Sequence, residues 1–82
     1  MFYIVYLLVD DNNDKYIGYS ENLDRRISEH LQGKVYTTKR MKNPKLFYYE
    51  VYTIEKLAKE REGKLKQYGS SYHGLLKRLK LK

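Results

Sequence analysis

The chain has 82 residues, which suits one domain over residues 1–82 with a single small core. It contains no cysteine, which excludes a disulfide framework and a thiolate zinc site. Seventeen Lys and Arg against ten Asp and Glu leave a net charge of +7, which favours a polyanionic partner, nucleic acid before anionic membrane.

Residues Phe2 to Val9 read as a strand rich in β-branched and aromatic residues, apolar on both faces and therefore central in its sheet. Nothing in the chain approaches the roughly 18 apolar residues of a membrane span. The apolar opening lacks the basic flank of a secretory leader, so the expected compartment is the cytoplasm. Asp10 to Asp14, with two asparagines in the middle, is turn chemistry, and Lys15 to Ser20 is a second strand antiparallel to the first. Gly18 inside that strand marks a bend or a close approach of backbone.

Asn22 is placed to cap a helix from Leu23 to about Gln32, which Gly33 stops. Leu23, Ile27 and Leu31 form its expected core stripe. At 100° per residue, His30 falls about 20° from Leu23 and Arg26 about 60°. The two therefore stack one turn apart at the rim of the buried face, where a cleft can form.

Gly33 to Pro44 is a basic loop, and Leu46 to Tyr52 is the third strand. Thr53 is placed to cap a helix from Ile54 to about Tyr68, with Ile54, Leu57, Ala58, Leu65 and Tyr68 on its apolar face and Glu62 at the rim. Arg61 falls inside that apolar face, and periodicity does not explain it. Ser70 or Ser71 opens a last short helix carrying Leu75, Leu76 and Leu79. The expected architecture is α/β in the broad sense, an α+β sandwich. A three-stranded, mainly antiparallel sheet is flanked by helices in the order β-β-α-β-α-α.

The basic residues are unevenly placed. Lys34, Lys39, Arg40, Lys42 and Lys45 lie in one stretch without an acid, and Lys66 belongs to a second acid-free stretch that runs from Lys64 into the tail. These are the candidate nucleic-acid contacts, since phosphate neutralisation by lysine and arginine supplies most nonspecific affinity. The ten tyrosines offer stacking rings and hydroxyls, although strand-forming core tyrosines account for most of such a number.

Ile4-Val5-Tyr6 on the first strand, Tyr16-Ile17-Gly18 on the second, Asn22, Leu23, Arg26 and His30 on the first helix, and Glu62 on a later one occur in a particular order. That order resembles the GIY-YIG nuclease superfamily, and in particular its small single-domain members. Thr38, Arg40, Pro44 and the Leu46 to Glu50 segment also look like the loop and third strand of those members. Ile4 departs from the pattern, standing where the first motif has glycine; a strand position carries isoleucine without harm.

The resemblance implies a metal-dependent endonuclease acting on DNA. Glu62 would hold one Mg²⁺ or Mn²⁺, a hard cation that takes oxygen ligands. Arg26 suits a phosphate oxygen because its planar fork donates two hydrogen bonds. Tyr6 and Tyr16 would orient or activate the attacking water, with Tyr6 as general base or relay, and His30 would hydrogen-bond a tyrosine or shuttle the proton. The cleft is expected where the two tyrosines on the sheet meet Arg26 and Glu62 from the helices. Larger relatives carry a separate DNA-binding domain. In this chain, the basic loop and tail, a targeting partner protein or a homodimer would have to supply that role, and no membrane is involved. Two readings compete with the enzyme: a catalytically weak nucleic-acid-binding accessory module that works with a partner, and a purely structural or protein-interaction domain.

Overall fold

A strand that is apolar on both faces needs a neighbour on each edge and cover on each side. The computed structural model, which describes residues 1–81, provides both. Strand β1 (Tyr3–Val9) lies between β2 (Lys15–Ser20) and β3 (Lys45–Tyr52) in the order β2-β1-β3, and both pairings are antiparallel. Helix α1 (Leu23–Leu31) follows β2, while α2 (Glu55–Leu65) and α3 (Ser70–Arg78) follow β3. The fold is α+β, in the order β-β-α-β-α-α.

One face of the sheet makes the hydrophobic core. Val5 and Leu7 of β1 and Ile17 of β2 pack with Ala58 and Leu65 of α2 and Leu75 and Leu76 of α3. The opposite face carries Tyr6, with Gly18 of β2 and Tyr49 of β3 as its direct partners across the ladder. Residues directly opposite in an antiparallel pair point to the same side, so these three form one row across that face. The β1–β3 ladder shifts register between Leu7 and Leu8, whose partners are Tyr48 and Leu46, leaving Phe47 as the extra residue of a bulge.

The local chemistry of α1 is as expected at both ends. The Asn22 side chain accepts from the Arg25 backbone N–H at 3.1 Å, and Gly33 beyond the helix takes φ +71°, a left-handed conformation that glycine enters without strain. The expected core stripe is corrected. Leu31 is 62% exposed, and the buried residue of α1 is His30, at 3%. The helix crosses a polar cluster instead of the apolar core, so the side that turns inward is the one bearing the imidazole.

Helix α2 is shorter than its apolar pattern suggests. It ends at Leu65, and Tyr68 follows with φ +55° and an exposed ring. Ile54, with no side-chain cap, occupies the cap position expected of Thr53. Ile54 and Leu57 are exposed; only Ala58 and Leu65 of the expected stripe are buried.

Arg61 has its explanation in β3. Its guanidinium grips Glu50 through Nε at 3.0 Å and Nη2 at 3.0 Å, and the hydroxyls of Tyr48 and Tyr52 donate to the same carboxylate at 2.7 and 2.6 Å. Burial alone would raise the Glu50 carboxyl, but these hydrogen bonds, led by Arg61, bring it below its ordinary value. A charged residue inside an apolar pattern is here the partner of a half-buried acid on the neighbouring strand. Among the described residues, no helix is long and apolar enough to cross a membrane.

Candidate active site

The site grows from Tyr6, which β1 holds at the middle of the sheet with 1% of its surface exposed. Its ring lies across the backbone of β2 at Gly18. A Cβ built on that glycine would collide with Tyr6 Cζ and its hydroxyl oxygen, so only glycine leaves the ring its place. This is the close approach that a glycine inside a strand signals.

From there the Tyr6 hydroxyl reaches His30 Nε2 at 2.7 Å, and His30 Nδ1 reaches Thr38 Oγ1 at 2.6 Å. Thr38 belongs to a short 3₁₀ turn (Tyr36–Thr38) in the basic loop and is 1% exposed. Its hydroxyl lies 3.4 Å from the Val35 carbonyl oxygen, which can only accept. The direction of the row is set by the histidine tautomer: with the proton on Nδ1, Thr38 donates to Val35, His30 Nδ1–H donates to Thr38, and Tyr6 donates to His30 Nε2. Among the described residues, no buried side-chain nitrogen or oxygen lacks a hydrogen-bond partner.

Tyr16 completes an aromatic cluster, with its ring centroid 6.3 Å from that of Tyr6 and 5.2 Å from that of His30. The other charges come from two helices. Arg26, one turn before His30, is held by Glu29 at 3.1 Å. Glu62 of α2 pairs with Lys66 at 3.0 Å, and the Lys66 ammonium stands 5.8 Å from the centre of the Tyr16 ring.

The electrostatics follow from this packing. Burial pushes the Tyr6 hydroxyl up to about 12, with the neighbouring Tyr16 and Glu62 adding to the rise and Arg26 opposing it. Burial also lowers His30 below the ordinary histidine value, and the positive charge of Arg26 lowers it further. Tyr6 is therefore a neutral phenol beside a neutral imidazole at neutral pH, which is the protonation state needed to pass a proton along the row.

Five residues singled out from the sequence, Tyr6, Tyr16, Arg26, His30 and Glu62, thus meet in one place. His30 is buried and not at an open rim. Lys34, Lys39, Arg40, Lys42, Lys45 and Lys66 are all exposed. Lys39 and Arg40, with Tyr36 and Thr37, line a cavity of about 390 Å³ on the basic loop. Sequence reasoning gave no role to Thr38, the residue that fixes the imidazole. The resemblance singled it out without a role, and the missing step is that a histidine turned inward needs a partner on each ring nitrogen.

The model of the GIY-YIG catalytic domain matches residues 2–75 of the chain. The solution NMR structure of a UPF0213 protein from Bacillus halodurans is similar to it at 27% sequence identity and a TM-score of 0.61, over 98% of this chain and 86% of that one. No curated protein matched. The matched span runs from β1 into α3 and takes in both tyrosines, the Arg26–His30 helix and Glu62; the chain belongs to the GIY-YIG family.

Proposed function

We propose that the protein is a metal-dependent endonuclease that hydrolyses phosphodiester bonds in DNA, with Tyr6, Tyr16, Arg26, His30 and Glu62 as its working residues. The GIY-YIG domain is that of nucleases, which implies a nucleic acid substrate and, generally, a divalent metal. The observation that carries the finer reading is the hydrogen-bonded row Tyr6–His30–Thr38, with Arg26 and Glu62 close enough to shift the Tyr6 hydroxyl.

Water is a poor nucleophile, and phosphorus is shielded by negative oxygens. Hydrolysis therefore needs a proton acceptor for the water, positive charge at the phosphate and help for the leaving oxygen. The Tyr6 oxygen, which donates its own proton to His30, keeps a lone pair for a proton from the attacking water. As it accepts that proton, it passes its own to His30 Nε2. The charge that develops on the imidazole is spread toward Thr38 through Nδ1–H. Arg26, oriented by Glu29, offers its remaining N–H groups to a non-bridging phosphate oxygen.

The donor set fits one hard cation. Glu62 supplies a single carboxylate, and among the described residues no three His, Cys, Asp or Glu side chains converge. One Mg²⁺ or Mn²⁺ with a sphere made mostly of water and phosphate matches that supply. When bound, the ion polarises the phosphate and stabilises the leaving oxygen. The exposed Lys34, Lys39, Arg40, Lys42, Lys45 and Lys66 supply a salt-sensitive hold on the backbone. A targeting partner or a second copy remains compatible with so small a domain.

The test is cleavage of end-labelled single-stranded, duplex, flap and four-way-junction DNA, and of RNA, with Mg²⁺ or Mn²⁺, beside Glu62→Ala. Metal-dependent cutting lost in the variant, with DNA affinity retained, is the expected result. Binding without cutting of any substrate would replace this reading with the accessory module.

A further inference from the structure

The active-site face of the sheet is covered on one half only. Tyr6 leans over Gly18 toward β2 and α1. Its partner on the other side, Tyr49 of β3, is 52% exposed. Val51, opposite Ile4, is 49% exposed, and Phe47, the extra residue of the bulge, is 49% exposed. Leu46, Phe47, Tyr48 and Tyr49 line a shallow cavity of about 290 Å³ along β3, the edge strand, although Tyr48 itself packs on the core face. A small domain that is short of core does not gain stability by leaving such rings in water.

From the bare half of this face we infer a base-stacking platform for unpaired nucleotides, so that the substrate is single-stranded DNA, or a single-stranded segment of a branched DNA, laid across β3 next to Tyr6. The inference rests on the nuclease reading and names its substrate class. Two observations select this occupant. The first is continuity: Tyr49 is the direct ladder partner of the tyrosine at the centre of the site, so a strand with its phosphate at Tyr6 passes over Tyr49. The second is charge. The chain entering β3 is the basic loop, with exposed Lys39, Arg40, Lys42 and Lys45 and a Tyr36 ring that is 84% exposed. That loop is tied to the site by Thr38 and His30.

Cations that follow a backbone, alternating with exposed rings that take bases, are what a single strand requires. A duplex keeps its bases stacked on one another and turned inward, so Phe47 and Tyr49 would meet only sugar and phosphate. RNA offers the same rings and charges and is separated by the test.

The experiment measures binding by Glu62→Ala protein, full chain, by fluorescence anisotropy. The ligands are a labelled single-stranded oligonucleotide, its duplex, the RNA of the same sequence, and a single strand whose central bases are replaced by abasic sites. The expected result is a preference for the intact single strand over the abasic strand of roughly tenfold for each stacked base lost. A Phe47→Ser/Tyr49→Ser variant should lose that preference while keeping the salt-dependent affinity for the abasic strand. Tyr49→Phe, which retains a ring, should keep it.

Equal affinity for the intact and abasic strands would overturn the inference, as would tighter binding of the duplex. So would a concentration-dependent dimer in sedimentation that the serine variant dissociates, because the face would then belong to a second copy. Tighter binding of RNA than of DNA would overturn the assignment to DNA. Base-dependent binding to DNA by a protein that cleaves nothing would uphold the platform and overturn the nuclease reading. Cleavage of duplex DNA unaffected by the serine variant would do the reverse.

Discussion

The two faces of the sheet solve the same problem, covering Tyr3–Val9, by different means. One face uses hydrocarbon: Val5, Leu7 and Ile17 under α2 and α3. The other uses a row of hydrogen bonds, Tyr6 to His30 to Thr38, under α1 and the basic loop. Hydrophobic contact is non-directional and accommodates small shifts, whereas each hydrogen bond is worth about 1 kcal/mol net and holds an atom in a fixed direction. The first face is suited to holding the fold and the second to holding a reacting group.

The sharpest way to break this division is Tyr6→Phe. It should cut cleavage by roughly 10²-fold or more while the protein stays folded, because the ring still fills its place and only the proton acceptor is gone. Steady-state cleavage beside a thermal melt checks it. Gly18→Ala attacks the same face through shape: the added Cβ displaces Tyr6, so the hydrogen bond to His30 should fail and activity fall together with about 1–3 kcal/mol of stability.

Leu7→Ala on the hydrocarbon face should do the opposite. It is expected to cost about 2–5 kcal/mol in urea denaturation, with turnover per folded molecule little changed. Arg61→Ala lies between the two, leaving the Glu50 carboxylate with only its tyrosine donors. Partial exposure of the pair, 24% for Arg61 and 14% for Glu50, discounts the loss to roughly 2 kcal/mol.

The smallest effects are in pH. The folded-state value of Glu50 is depressed, so its contribution to stability is present above the unfolded value and disappears as pH falls through the folded one. Melts taken into acid should show a slope that Glu50→Gln flattens. His30 is also depressed, so cleavage should persist below the ordinary histidine range and fall only when the imidazole finally protonates. A pH–rate profile with an acid limb at or above the ordinary histidine value would contradict that.

Much of this division can be read in the chain before folding. A strand apolar on both faces announces its central place, Asn22 and Gly33 bracket α1, and the spacing of Arg26 and His30 puts them one turn apart. Periodicity alone did not show which side of α1 turns inward. Leu23, Ile27 and Leu31 are a plausible stripe until Tyr6 and Thr38 offer His30 two partners and Leu31 is left in water. Arg61 was legible only as an anomaly, since its partner Glu50 is eleven residues away on another element. Thr38 was marked by the resemblance but without a role, because its bond to His30 exists only once the backbone turn aims its hydroxyl inward.

Asp10 joins two segments that the sequence keeps far apart. Its carboxylate, buried at the end of β1, accepts from the backbone N–H groups of Asn12 and Asp14 through Oδ1 and of Lys42 through Oδ2. The backbone N–H of Asp11 in turn donates to the Lys42 carbonyl at 2.8 Å. The hairpin tip and the end of the basic loop should therefore open as one cooperative unit. In hydrogen exchange, the amides of Asn12, Asp14 and Lys42 should lose protection together, and Asp10→Asn should speed all three while the amides of β1 stay slow.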